Sequence, residues 1–198
     1  QSKIYAPKRG VAFKVLNLIG KVSNYFKKNK YSCIYKTNLS FISEKKLEIK
    51  LGQLPQFLGD EKEISFRPFD RSIRKKINLK KLKTKSKFEE FLRKILPMSL
   101  PNFVLESFED ISKLSEKSDF PKNPKMIFTS EAFHYDDIFK FYTAKRTQEG
   151  VPYFIGQHGN YYFTHAQNNY APEMTIGDKF LSWGVKGNKS IIPTCNFK

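Results

Sequence analysis

Cysteine is nearly absent. The 198 residues hold two, Cys33 and Cys195, far apart and in no metal-ligand spacing. That excludes a cysteine-based metal site and points to free thiols in a reducing compartment. No apolar run reaches 18 residues, which excludes a transmembrane helix within this stretch, and the first residues hold no signal-peptide core. Arginine is scarce as well, at 6 against 30 lysines. Readers of specific base sequences favour the bidentate arginine fork, so sequence-specific nucleic-acid recognition is disfavoured. Three motifs are missing too. There is no G-x-S-x-G nucleophile elbow, no phosphate-binding P-loop and no G-x-G-x-x-G fingerprint.

Negative charge is missing from one half only. Residues 1–100 carry 25 Lys and Arg against 8 Asp and Glu, and the remainder carries 11 of each. The whole net charge of +17 therefore lies in the first half. Such asymmetry suggests an anionic partner, a nucleic acid or a membrane surface. The lysine excess, with abundant Asn, Ile, Phe and Tyr, is also what an AT-rich genome produces. The chain begins at Gln1 and stops at Lys198 with no winding-down of its pattern, which reads as a piece of a longer protein.

Along the chain, Val11, Val15, Leu18, Ile19 and Val22 recur at helical spacing and predict a helix over 8–29. Tyr31 to Tyr35 is short and β-prone. Residues 41–58 read as weak helix or irregular chain. The run Arg71 to Lys87 is strongly basic without interleaved aromatics, so it offers no base-stacking platform and reads as a solvated face. Ser86 with Glu89 forms a capping box ahead of an apolar stripe of Phe88, Phe91, Leu92, Ile95 and Leu96. Pro97 should stop that helix. Pro101 should open the next, with Val104, Leu105, Phe108, Ile111 and Leu114 buried.

After residue 124 the pattern alternates. Lys125 to Thr129 predicts a strand, Tyr135 to Gln148 a helix, Tyr153 to Gly156 a second strand, and Asp178 to Trp183 a third. Strand–helix–strand units at this spacing predict an α/β fold, a Rossmann-like parallel sheet flanked by helices. The expected organisation is a basic, mainly helical region over 1–85, the α/β domain over 86–184, and a linker over 185–198.

Parallel strands end on one edge, and ligands bind in the crevice there. Three polar turns should share it: Thr129-Ser130-Glu131, Gln157-His158-Gly159 and Trp183-Gly184. His158 is the candidate acid, base or phosphate donor. Gly159 permits close backbone approach. His134 and His165 lie in polar loop or helix-start contexts and read as surface positions. His158, His165 and Glu173 have no recognisable zinc spacing, and Glu173 and Asp178 are too loosely spaced for a paired-carboxylate site, so no metal or other cofactor is expected.

Residues 153–184 (YFIGQHGNYYFTHAQNNYAPEMTIGDKFLSWG) resemble the signature region of a bacterial transferase family of O-antigen and surface-carbohydrate gene clusters. The shared features are a strand ending in Gln-His-Gly and a later Asp-x-Phe-x-x-Trp-Gly. Upstream, Phe88-Glu89, the Leu-Pro doublets at 96–97 and 100–101, Pro124 to Ser130, and Asp137 to Ala144 fit as well, so the resemblance covers about residues 86–184. Asn160, Phe163 and Val185 depart from it.

The resemblance implies the N-terminal half of a GT-B-type, two-domain glycosyltransferase. It would use a nucleotide-sugar donor as substrate and a glycan or lipid-linked acceptor. Residues 185–198 would lead into a C-terminal domain holding most of the donor site. His158 is then the catalytic candidate. Gln157, Gly159, Ser130, Glu131, Asp178 and Trp183 are the substrate-binding candidates, with Asp178 and Trp183 expected to position and pack. The expected location is the cytoplasm, with peripheral contact at the anionic inner face of the membrane. Two other readings stand beside this one: a non-enzymatic basic module that binds nucleic acid or anionic membrane, and a sugar-nucleotide-modifying enzyme on the same fold.

Overall fold

A computed structural model describes residues 31–58, 64–77, 86–164 and 171–194. The helix expected over 8–29, His165 and Cys195 lie outside the described residues. The chain divides into two compact units, Gln1–Asp60 with Ser118–Lys198, and Glu61–Lys117.

The first unit is built on five parallel strands in the order β1-β2-β3-β4-β5. They are β1 (Cys33–Ile34), β2 (Ile127–Thr129), β3 (Tyr153–Gly156), β4 (Lys179–Trp183) and β5 (Ile191–Thr194). Registers run Cys33 to Ile127, Ile127 to Tyr153, Phe154 to Lys179 and Phe180 to Ile191. With flanking helices this is the Rossmann-like α/β fold that the alternation predicts. β1 and β2 are buried throughout, as expected of parallel strands covered on both faces.

On one side Ile34 and Phe128 gather Leu39, Leu47, Met126, Phe154, Leu181 and Trp183. Elsewhere in this unit Tyr35, Phe120, Phe139 and Tyr142 pack ring against ring, with centroids 4.8–5.6 Å apart. Each large side chain buried this fully contributes roughly 1.5–3 kcal/mol.

Helix α1 (Phe41–Lys50) starts where Ser40 accepts from the Ser43 N–H. Its trailing segment is pinned to β1. Gln53 accepts from the Ser32 N–H at 2.8 Å and donates to the Ser32 carbonyl at 3.1 Å. One helix was expected over 135–148, but two occur around Asp136. In chain order among the described residues, these are the fifth and sixth helices, α5 (Ala132–Tyr135) and α6 (Asp137–Gln148). Asp136 is the reason. Its carboxylate accepts from the Phe139 N–H at 2.9 Å and from the Tyr35 hydroxyl at 2.8 Å, so it caps α6 and ties it to the end of β1. Gly150, at φ +85°, then turns the chain toward β3.

The second unit holds α2 (Arg71–Lys76), α3 (Lys87–Ser99) and α4 (Phe108–Glu116). Ser86 caps α3 as the sequence predicts, accepting from the Glu89 N–H. Pro97 does not stop it. The helix runs to Ser99 because a proline in the last turn removes a single donor. The carbonyls left open there are gripped by Arg74, whose Nη1 donates to Pro97 at 3.1 Å, Met98 at 3.2 Å and Leu100 at 2.7 Å. Arg74 also pairs with Glu106 at 2.7 and 2.8 Å, and its hydrogen bonds hold the Glu106 carboxyl down at about 2. One member of the basic run is thus a buried structural pin rather than part of a solvated face. Pro101 opens only a turn, and the next helix waits until Phe108.

The expected boundaries shift accordingly. α3 and α4 belong with residues 61–117, not with the sheet, and β1 from the expected basic region completes it. Residues 191–194 of the expected linker form the edge strand of the described sheet, where Pro193, which has no N–H to donate, is tolerated. Among the described residues no helix is long and apolar enough to cross a membrane.

Candidate functional site

The three polar turns do share the C-terminal edge of the sheet, and several of their side chains hold that edge together. The Gln157 side chain is buried. It accepts from the Trp183 N–H at 2.8 Å and donates to the Gly159 carbonyl at 2.6 Å, while its own backbone N–H donates to Leu181. It joins the ends of β3 and β4 and shapes the turn that carries His158. Ser130, also buried, donates its hydroxyl to the Thr37 carbonyl at 2.8 Å, joining β2 to β1. The Trp183 ring packs on the Ile34–Phe128 cluster.

Gly159 has a steric reason to be glycine. A Cβ there would stand 2.8 Å from the Tyr161 ring. Asp178 lies elsewhere. Its carboxylate accepts from the Tyr153 N–H at 2.8 Å, which places it where β3 and β4 begin, at the opposite edge from His158. It sets strand register and is remote from the crevice.

Around His158 the fold assembles residues that the sequence did not connect. The imidazole is half-buried. Nε2 is 3.0 Å from the Tyr161 hydroxyl and Nδ1 is 2.9 Å from the Tyr162 hydroxyl. Tyr162 donates in turn to Glu173 Oε1 at 2.5 Å. Glu173 sits on α7 (Glu173–Ile176) and is 3 % exposed. Tyr161 and Tyr162 stack at 4.3 Å, and Tyr162 packs on Phe180 of β4. The residue after them, Phe163, has φ +64°, a left-handed conformation that a non-glycine residue adopts at a cost. It is one of the positions that departs from the resemblance.

His134, read from sequence as a surface residue, is exposed, and it stands on α5 with its ring 5.0 Å from that of His158 and its Nε2 3.9 Å from Glu173. Glu131 accepts from the Tyr135 hydroxyl at 3.1 Å, and its charge acts on His158.

Two further contacts bear on the ring: Tyr161 donates to the Tyr162 oxygen at 3.0 Å, and the Ser130 backbone bonds to the imidazole. Tyr162 has a single proton and donates it to Glu173. Its oxygen lies within reach of both Nδ1 and the Tyr161 hydroxyl, and either ring tautomer finds a partner in this pair of tyrosines. Burial lowers the His158 pKa below the usual imidazole value, and the neighbouring His134 lowers it further. Glu173, Glu131 and the Ser130 backbone oppose them more weakly. The neutral, basic form is therefore favoured near neutrality. Burial and the Glu173 bond push the Tyr162 hydroxyl far above its usual range, so it remains a donor.

His134, His158 and Glu173 are the set a divalent ion could use among the described residues. Their nearest ligand atoms all lie within 4.8 Å of one another. Tetrahedral zinc at 2.0–2.1 Å bonds needs ligand atoms about 3.4 Å apart. His134 stands 3.9 Å from Glu173, and Tyr162 bridges Glu173 to His158. The arrangement is a hydrogen-bonded line from Glu173 through Tyr162 to the His158 ring. Sequence spacing could not find it, because 15 residues separate His158 from Glu173 and 24 separate it from His134. The one local signal was the pair Tyr161-Tyr162 following the histidine.

No curated protein and no solved structure matches the chain. A family model described as LIC12162 family transferase matches residues 2–198. The match spans nearly all of the chain, both compact units included, and the chain belongs to the LIC12162 family of transferases.

Proposed function

We propose that this transferase is a glycosyltransferase of GT-B type in bacterial surface-polysaccharide (O-antigen) assembly, and that residues 1–198 contribute its acceptor-side domain. The Glu173–Tyr162–His158 line at the C-terminal edge of the sheet carries the reading. In this scheme the ring carries its proton on Nδ1, toward Tyr162, and the Tyr161 hydroxyl marks the direction of the Nε2 lone pair. An acceptor hydroxyl in that position lies within hydrogen-bond reach of a base.

As the acceptor oxygen bonds to the anomeric carbon of the donor, its proton passes to Nε2. The bond between that carbon and the nucleotide phosphate breaks, and the nucleotide leaves with its electron pair. The imidazolium so formed is stabilised through Tyr162 by Glu173. Gln157 and Gly159 set the height of the ring, and Ser130 holds the neighbouring strand end. Glu131 is the nearby acidic group on that strand end. The donor nucleotide is held mainly by a second Rossmann-like half beyond these residues. The reaction runs in the cytoplasm, where nucleotide sugars are made. The donor is a substrate, and no cofactor enters the scheme.

Product analysis tests the reading. The full-length enzyme, given nucleotide sugars and a glycan or lipid-linked acceptor, should release nucleotide only when acceptor is present and should yield acceptor carrying the sugar. An altered sugar nucleotide as sole product would replace the transferase scheme by a sugar-nucleotide-modifying one.

The pH profile provides a second check. The His158 pKa is lowered, so its base form survives as pH falls through about 6.5, the ordinary imidazole value. The acidic limb of kcat/KM should lie below that value. His134→Ala removes a cationic neighbour and admits water, and both changes raise the His158 pKa. The limb should move to higher pH in that variant. A limb that stays in place would separate His134 from the titrating group.

A further inference from the structure

Helix α3 is built inside out. Phe88, Phe91, Leu92, Ile95, Leu96 and Met98 recur at helical spacing and occupy one arc of about 160° at 100° per residue. An arc of this kind normally faces a core. Here all six are exposed, Phe88 at 69 % and Phe91 at 55 %.

The helix is anchored by its opposite side. Pro97, half a turn round from Phe88, is buried, and Arg74 holds the carbonyls at that end. Glu89 pairs with Arg93 and Glu90 with Lys94 on the flanks. Soluble monomers rarely present a contiguous apolar stripe of this size to water.

Charge identifies what covers it. The 17 residues from Arg71 to Lys87 contain nine Lys and Arg and no Asp or Glu, and they lead directly into the first turn of α3. Arg74 is committed internally to Glu106, but Arg71, Lys75, Lys76 and Lys87 are exposed, and so is Ile73. A polyanion such as RNA would account for the lysines but leave six apolar side chains in water. A second copy would cover the stripe but bring two polybasic segments together. A bilayer with anionic headgroups satisfies both features: the stripe enters the acyl boundary and the cations lie at the headgroups.

We propose that α3, together with the exposed cations Arg71, Lys75, Lys76 and Lys87, docks the protein on an anionic lipid bilayer, with Phe88, Phe91, Leu92, Ile95, Leu96 and Met98 as the inserted face. The inference is independent of which group the enzyme transfers.

Vesicle sedimentation of the full-length chain tests it. The protein should pellet with phosphatidylcholine vesicles containing about one third phosphatidylglycerol, pellet poorly with phosphatidylcholine alone, and release as salt rises. The double variant Phe91→Asp/Ile95→Asp should weaken binding at least tenfold. Lys75→Glu/Lys76→Glu should weaken it and flatten the salt dependence. All these positions are exposed, so unchanged melting by circular dichroism confirms that each variant folds. Failure to bind anionic vesicles, or binding that ignores both double variants, overturns the proposal. A dimer in sedimentation velocity that Phe91→Asp/Ile95→Asp dissociates, without vesicle binding, would assign the stripe to a second copy and overturn it as well.

Discussion

His158→Ala in the full-length enzyme should lower kcat by about 10²–10⁴-fold, the usual contribution of a positioned general base. Donor affinity and thermal melting should change little. The imidazole is half-buried and its bonds run to two tyrosine hydroxyls, while the braces of the sheet edge run through Gln157 and Ser130 instead. The turn should therefore survive loss of the ring. Quenched-flow or steady-state assays, with donor binding measured separately by calorimetry, divide the effect between chemistry and binding. Unchanged turnover in a folded variant would remove His158 from the mechanism.

Glu173→Gln should be almost as damaging, at about 10²-fold in kcat, although Glu173 lies one residue behind the reacting nitrogen. In the proposed scheme Tyr162 donates to this carboxylate and accepts from Nδ1–H. A glutamine amide can donate to the Tyr162 oxygen. The Tyr162 proton then turns to Nδ1, the ring takes the Nε2–H tautomer, and the lone pair facing the acceptor is lost. The same logic governs the carboxylate behind the histidine of serine-protease triads, where the wrong tautomer costs about 10⁴-fold.

Because Glu173 positions rather than reacts, its test needs a readout that a structural role would not move. Tyr162→Phe deletes the link itself. Adding Glu173→Gln to Tyr162→Phe should then cost little more, whereas independent structural losses would add. Additive effects would show that Glu173 acts by some route other than Tyr162. Glu173→Asp, which keeps the charge on a shorter arm, should recover part of the loss.

The strand that carries His158 was legible because it is local. Tyr153 to Gly156 is a short apolar run ended by a polar glycine turn, and it forms β3 with those bounds. The cap at Ser86 belongs to the same class, since a capping oxygen acts within three residues of itself. The misreadings arose where a distant group changed a local rule. Pro97 sits inside a helix because Arg74, 23 residues away, takes the carbonyls there. Residues 191–194 form a strand because β4 offers an open edge. Asp178, five residues from Glu173, is carried to the opposite edge because it belongs to the start of a strand and Glu173 to the helix before it. The apolar stripe of α3 was read correctly as a stripe, but which way it faced depended on what grips its other side.

From the residues alone came the alternation that makes a parallel α/β sheet, the shared edge of its strand ends, and the choice of His158 with Gln157 and Gly159 beside it. Each follows from periodicity and turn chemistry, which act over a few residues. Tertiary structure decided what His158 can do. His134 comes from the turn after β2, Tyr162 from the loop after β3 and Glu173 from the helix before β4, and only the closing of parallel crossovers brings them to one ring. In the proposed scheme the base at this strand end is directed by a buried carboxylate two hydrogen bonds away, and that arrangement depends on through-space distances that no spacing in the sequence records.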